Sequence, residues 1–237
     1  MFTQDQHHTW QLLFTRQLPQ VDKFACQLFK DGFSRLNMSP THIPSLAQLN
    51  SRISSHTDWK VTQTKSRYMT RMEWFTALSN KEFPITSYIR DQKELDFTPE
   101  PDIFHDIFGH QPFMCIPEYV EIFNMFASAY SKTKTDQQRR DIGRLAWFGY
   151  EFGLIKEEDE IKAFGAGLLS SFSEIQNINS DSIPKKQFSI ENVLAGHKPG
   201  GNRIGDRVYG VTENTELFVF NSLNHLKSEL ARYFDSL

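Results

Sequence analysis

The sequence predicts a mainly α fold with a few short β-strands, and three observations carry that reading. Apolar residues recur every three or four positions over most of the chain, as on the buried face of a helix. Runs of β-branched and aromatic residues are few and short, chiefly PITSYIR at Pro84–Arg90 and LFVF at Leu217–Phe220. With 237 residues, 39% of them hydrophobic, the chain can bury one sizeable core but not two. Residues 1–237 are therefore read as a single domain.

Each element follows from its local pattern. Trp10, Leu13, Phe14 and Leu18 share a helical face that Pro19 is expected to close. Val21, Phe24, Ala25, Leu28, Phe29 and Leu36 continue the period, so the pair reads as a helical hairpin on the core. Ser39, Pro40 and Pro44 mark a loop, and Leu46, Leu49 and Ile53 a short helix. Trp59–Tyr68 alternates weakly, as a strand does, Arg71–Asn80 is helical, and Pro84–Arg90 is a strand leading to the most unusual stretch of the chain. Tyr119, Ile122, Phe123 and Phe126 lie on another helix. The charged linker KTKTDQQRRD then leads into a long one through Leu145, Phe148 and Phe152. After Phe172 the chain turns polar, and His197–Gly205 has the glycine density of a flexible loop. Leu217–Phe220 reads as a buried strand and Leu223–Phe234 as a last helix.

Composition excludes several function classes. A net charge of -3 with no long block of like charge offers no basic surface for nucleic acid. The two cysteines, Cys26 and Cys115, form neither a CxxC motif nor a disulfide framework, which points to a reducing compartment. The start MFTQDQHHTW has no signal-peptide character, and no run approaches the ~18 apolar residues that span a bilayer. The expectation is a cytoplasmic protein with no membrane partner. An aromatic content of 14% suits a ring-lined core and does not by itself indicate an aromatic substrate.

The stretch TPEPDIFHDIFGHQP, Thr98–Pro112, sets His105 and His110 beside Asp102 and Asp106. Histidines five apart do not share a face of a regular α-helix, since five residues turn through about 500°. Gly109 offers a way round, because a helix that loosens or ends there lets His110 swing back towards His105. Two imidazoles suit a divalent transition metal that needs a further ligand. The zinc-protease spacing HExxH is absent. The best further donor is Glu151, the one carboxylate in the apolar run WFGYEFGLI, where an uncompensated charge is costly. Two His and one Glu make the facial triad of non-haem Fe(II) oxygenases. On its own, an HxxxxH pair reads more often as core histidines. A third segment, KAFGAGLLSSF at Lys162–Phe172, shifts the balance: its small residues permit close backbone approach, and Ser170 and Ser171 can support a ligand histidine. Arg90 stands ahead of these segments with a guanidinium suited to bidentate pairing with a carboxylate.

Together, in this order and spacing, the three segments resemble the catalytic domain of the pterin-dependent aromatic amino acid hydroxylases, and among these the bacterial phenylalanine 4-hydroxylases most closely. The resemblance runs from about Phe2 to about Phe234 and implies that catalytic-domain fold. It further implies Fe(II) held by His105, His110 and Glu151, with O2 and a tetrahydrobiopterin-like tetrahydropterin as co-substrates and L-phenylalanine converted to L-tyrosine. Arg90 occupies the place of the family's arginine for the substrate carboxylate. Thr98, Gly167 and Ser170 fall where the family contacts the bound amino acid, and Trp147 matches a pocket-lining tryptophan. Trp74, Met69 and Asp106 fall on the pterin side.

Three departures from the family pattern lie on that side. TKSRYMTRMEWF lacks the usual glycine-containing loop, Ala146 stands where relatives place a tyrosine, and Gly149 and Tyr150 replace Thr and Val. Another reductant therefore stays open, as do a hydroxylase of tryptophan or another aromatic compound and a non-catalytic metal- or aromatic-binding protein. Relative to animal members, neither an N-terminal regulatory extension nor a C-terminal tetramerisation helix is evident, so a monomer is expected.

Overall fold

A computed structural model of the chain describes residues 2–64, 69–196 and 213–237, together with the backbone of 202–204 and 207–209. Helix α1 (Gln4–Phe24) opens on a capping box in which Thr3 and Gln6 satisfy each other's backbone donors. It runs through Pro19 instead of closing there. An interior proline costs about 3 kcal/mol. Val21 and Phe24 beyond it continue the buried stripe of Leu13, Phe14 and Gln17, and burying two such side chains returns about 3–6 kcal/mol. Helix α2 (Gln27–Leu36) ends on Asn37 in the left-handed conformation. It packs mainly on the segment around Pro112 and not as a simple hairpin partner of α1. Gly32 makes that approach possible, since a Cβ there would lie 2.0 Å from the Pro112 carbonyl oxygen.

After α3 (Leu46–Ile53) come strand β1 (Lys60–Gln63), helix α4 (Arg71–Ser79) and strand β2 (Glu82–Ile85), the two strands pairing in parallel. The second strand was expected at 84–90; it lies earlier because the chain's next donors go elsewhere. Thr86 N–H donates to the Asp106 carboxylate at 2.6 Å and Arg90 N–H to Asp102 at 2.8 Å, so the backbone leaves the ladder to be held by two acids of the histidine segment. Residues 105–110 of that segment form a π-helical turn, followed by α5 (Gln111–Met114) and α6 (Pro117–Lys132). Much of the expected charged linker is already helix, since α7 covers Asp136–Ala146 behind a Thr135–Gln138 capping box. A second π-helical turn takes residues 147–151.

The remaining strands were mostly invisible in the sequence. A hairpin joins β3 (Leu154–Glu157) to β4 (Glu160–Ala163), and α8 (Ala166–Leu169), α9 (Phe172–Gln176), β5 (Lys185–Gln187) and α10 (Ile190–Ala195) follow. The tract His197–Gly205 lies outside the described residues except for the backbone of β6 (Asn202–Ile204), which pairs with β7 (Arg207–Tyr209). Residues 65–68, ahead of α4, lie outside them too. Strand β8 (Leu217–Phe220) joins a four-stranded sheet of order β4-β3-β8-β5, and α11 (Leu223–Phe234) ends the chain. No helix among the described residues is long and apolar enough to cross a membrane.

Aromatic packing positions the histidine segment. Phe104 and Phe108, one turn apart, stack at 4.7 Å, and Phe108 meets Phe14 at 5.2 Å and Phe33 at 5.3 Å. These rings anchor the apolar face of the segment in the core, which turns His105 and His110 the other way.

Candidate functional site

Both segments that carry candidate ligands are π-helical. In such a turn the bonding is i→i+5, so residues five apart come onto one face. His105 and His110 begin and end the first turn, and Glu151 ends the second, where Phe152 N–H bonds the Trp147 carbonyl at 2.8 Å. The expected loosening at Gly109 is therefore a widened turn, not a helix end. Gly109 is needed for a different reason: a Cβ there would lie 2.7 Å from the Ala166 carbonyl oxygen and 3.2 Å from Ser170 Cβ. Gly165 serves similarly, its absent Cβ making room for the Glu151 carbonyl oxygen at 2.2 Å. Helix α8 is thus pressed against both turns, as the run of small residues suggested.

The three side chains converge. His105 Nε2 and His110 Nε2 are 3.2 Å apart, and the Glu151 oxygens lie 3.5 Å from the first and 3.3 Å from the second. Donors about 2.1 Å from a shared ion and at right angles stand about 3.0 Å apart, so this spacing fits three adjacent positions on one metal. Among the described residues no other group of three potential ligands meets so closely.

Hydrogen bonding and electrostatics prepare these atoms as ligands. Ser170 O–H donates to the Ala166 carbonyl at 2.8 Å, so its oxygen is an acceptor for His105 Nδ1–H at 2.9 Å. That assigns the proton to Nδ1 and leaves the Nε2 lone pair aimed at the site. Burial, with His110 alongside, lowers the pKa of His105 to about 4. Burial opposes ionisation of Glu151, but His110 and His105 outweigh it and hold the carboxyl below its usual range. At neutral pH His105 is uncharged and Glu151 ionised, the forms that bind a divalent cation.

A cavity of about 250 Å³ opens beside His105 and Glu151. Of the expected site residues, Trp74, Arg90, Thr98, Trp147, Gly167 and Ser170 line it with these two. Met69 and Asp106 do not: Asp106 turns away to bond Thr86 N–H, and burial pushes its carboxyl up to about 7. Trp74 donates its indole N–H to the Tyr150 hydroxyl at 3.2 Å, so the two side chains form one wall. Trp147 and Phe152 form another, their rings 4.5 Å apart. Gly167 admits Phe152, whose ring would come within 2.4 Å of a Cβ.

The guanidinium fork of Arg90, expected to be open for a carboxylate, is already engaged. Nε and Nη2 pair with the two oxygens of Asp102 at 2.9 and 2.8 Å. Burial works against the Asp102 carboxylate, but Arg90 overrides it and keeps the pKa below the ordinary value. Nη1 is left buried without a partner among the described residues. Asp102 also accepts His105 N–H at 3.0 Å and so ties Arg90 to the first π turn.

Sequence reasoning passed over Glu174 and Asn214, which also bear on the cavity wall. Glu174 is fully buried, and its backbone N–H is capped by the Ser171 hydroxyl at 3.3 Å. The only trace in the sequence is that serine three residues ahead of an acid, a helix-start signal. Asn214 carries none.

The family model described as biopterin-dependent aromatic amino acid hydroxylase matches residues 1–237. The chain is 33% identical over 192 residues to the phenylalanine-4-hydroxylase of Vibrio cholerae, covering 81% of this chain and 66% of that protein. It is 35% identical over 179 residues to the chloroplastic phenylalanine 4-monooxygenase of Pinus taeda, covering 76% and 50% respectively. The matched part thus spans between half and two thirds of these relatives' lengths. Among solved structures it is similar to Chromobacterium violaceum phenylalanine hydroxylase with bound oxidized Fe(III), with a TM-score of 0.88, 29% identity, and coverage of 99% of this chain and 82% of that one. A structure of the same enzyme with iron(III) and oxidized 7,8-dihydrobiopterin matches with a TM-score of 0.85, 28% identity, and coverage of 98% and 81%.

Proposed function

Given that the chain belongs to the biopterin-dependent aromatic amino acid hydroxylase family, we propose that it is a non-haem iron monooxygenase converting L-phenylalanine to L-tyrosine with O2 and a tetrahydropterin. Residues 1–237 are assigned to one catalytic domain. The observation that carries the proposal is the meeting of His105, His110 and Glu151 at the edge of an aromatic-walled cavity that also holds Arg90.

His105, His110 and Glu151 would hold the iron beside the cavity. When bound, the ferrous ion and reduced pterin supply the activation of O2. The protein's own share is orientation. Arg90 offers Nη1 to the substrate carboxylate, and Asp102 holds the guanidinium plane so that this bond has one direction. Thr98, Ser170 and Gly167 border the bound amino acid. The side chain of Ser170 keeps His105 in the tautomer that ligates through Nε2. Trp147 and Phe152 would confine the ring and keep water from it. Trp74 and Tyr150 line the wall on which a flat pterin can lie.

The test is an assay of protein loaded anaerobically with Fe(II), then given tetrahydrobiopterin, air and phenylalanine, tyrosine or tryptophan in parallel. Tyrosine formation from phenylalanine, abolished by Glu151→Ala, is the expected outcome. No hydroxylated product from any of the three by iron-replete protein overturns the activity, and product without pterin overturns the cofactor assignment.

A further inference from the structure

One wall of the cavity is braced by a chain of buried polar groups that the proposed reaction leaves unexplained. The Trp147 indole N–H donates to Asn214 Oδ1 at 2.8 Å, and Asn214 Nδ2 donates to Glu174 Oε1 at 2.9 Å. Asn214 N–H reaches the same oxygen at 2.8 Å, while Asn177 Nδ2 bonds the other oxygen of Glu174 at 3.0 Å. Both Glu174 and Asn214 are buried. A carboxylate that accepts these three bonds is held in one orientation. It also decides which way the Asn214 amide lies, because the NH2 end has to face the carboxylate and the carbonyl end is then presented to the indole. On its opposite side the indole rests on Phe152, which is itself seated over Gly167. Trp147 cannot turn without breaking a hydrogen bond or displacing that ring.

We propose that Asn214, held by Glu174, is a positioning residue that sets the ring specificity of the amino acid pocket. By fixing the plane of the Trp147 indole it fixes the width of the slot beside it. The proposal rests on Trp147 lining the substrate site. A fixed wall excludes a second fused ring by steric contact, whereas a released indole moves aside and admits it.

A double-mutant cycle tests this on Fe(II)-loaded protein, using N214A, W147F and the double variant. Turnover is followed with L-phenylalanine and L-tryptophan, and amino acid binding by calorimetry without pterin. N214A is expected to shift the ratio of kcat/KM values towards tryptophan by about 10-fold, the scale on which an apolar pocket discriminates by size. The loss for phenylalanine falls on KM and on calorimetric affinity, with kcat changed less than about 2-fold because the metal ligands are untouched. W147F has no indole N–H, so adding N214A to it changes nothing further. E174A removes the oxygen that holds Asn214 and shifts the ratio in the same direction, which provides a second route should N214A fail to fold. An equal effect of N214A in both backgrounds, or no effect where W147F has one, overturns the assignment and leaves the hydroxylase standing. Phenylalanine binding unaltered by W147F removes Trp147 from the substrate site and the proposal with it.

Discussion

Replacing Asp102 by Asn strikes the point where Arg90 is tied to the histidine segment. The carboxylate accepts Arg90 N–H, Nε and Nη2 and His105 N–H at 2.8–3.0 Å, and neither partner of the ion pair has appreciable exposed surface. An asparagine matches the shape but not the charge, and its NH2 group faces one of the donors it should accept. Removing one charge of a buried pair costs about 3–5 kcal/mol. For a chain of this length that corresponds to roughly 6–20 °C in Tm at ~2–4 °C per kcal/mol. Thermal unfolding followed by circular dichroism measures it directly.

The pH dependence has a definite sign. A carboxyl whose native pKa is depressed stabilises the fold fully above its unfolded value, here 3.8, and loses that contribution as pH falls through the native value. The gap between wild type and D102N is therefore widest above pH 3.8 and closes in stronger acid. Replacing both partners with leucine is expected to recover only part of the loss: no unpaired charge remains, but the backbone N–H groups of residues 90 and 105 lose their acceptor. A D102N protein that melts within about 1 °C of wild type would refute the reasoning, since the shift per kcal/mol exceeds that.

Three further outcomes follow from the site. Ser170→Ala removes the acceptor for His105 Nδ1–H and is expected to weaken iron or cobalt binding about 10- to 100-fold in a chelator competition; unchanged affinity rejects the tautomer assignment. Gly109→Ala places a methyl group 2.7 Å from the Ala166 oxygen, so both Tm and metal affinity should fall, and a protein normal in both shows that α8 does not press on the π turn. Burial pushes the Cys26 and Cys115 thiols up to about 12 and about 11, so an alkylating reagent should label them only on unfolding; rapid labelling of the native protein contradicts their burial.

The reach of the sequence depended on how local the governing physics is. Helices with a clear apolar stripe and a capping residue, such as Leu46–Ile53 and Leu223–Phe234, were legible because capping and amphipathicity act within a few residues. So was the buried strand Leu217–Phe220. Glu151 stood out because an acid in an apolar run needs a partner, and its partners proved to be His105 and His110. By contrast, β3, β4 and β5 are short and carry charged residues, so their strand state comes from pairing with one another and with β8. Pro19 reads as a stop, yet Val21 and Phe24 bury beyond it.

By itself the sequence determined the chemistry available: two imidazoles, one isolated carboxylate, small residues to admit close packing, and aromatic rings in surplus. Only the tertiary structure decided how that chemistry is used. The helix widened into π turns so that residues five apart share a face, Asp102 took the fork of Arg90 and left Nη1 without a partner among the described residues, and Glu174 reached Asn214 to brace Trp147. Each of these is a choice of partner between groups distant in sequence or in different turns, and what decides it is which buried donor and acceptor remain unsatisfied once the core has closed.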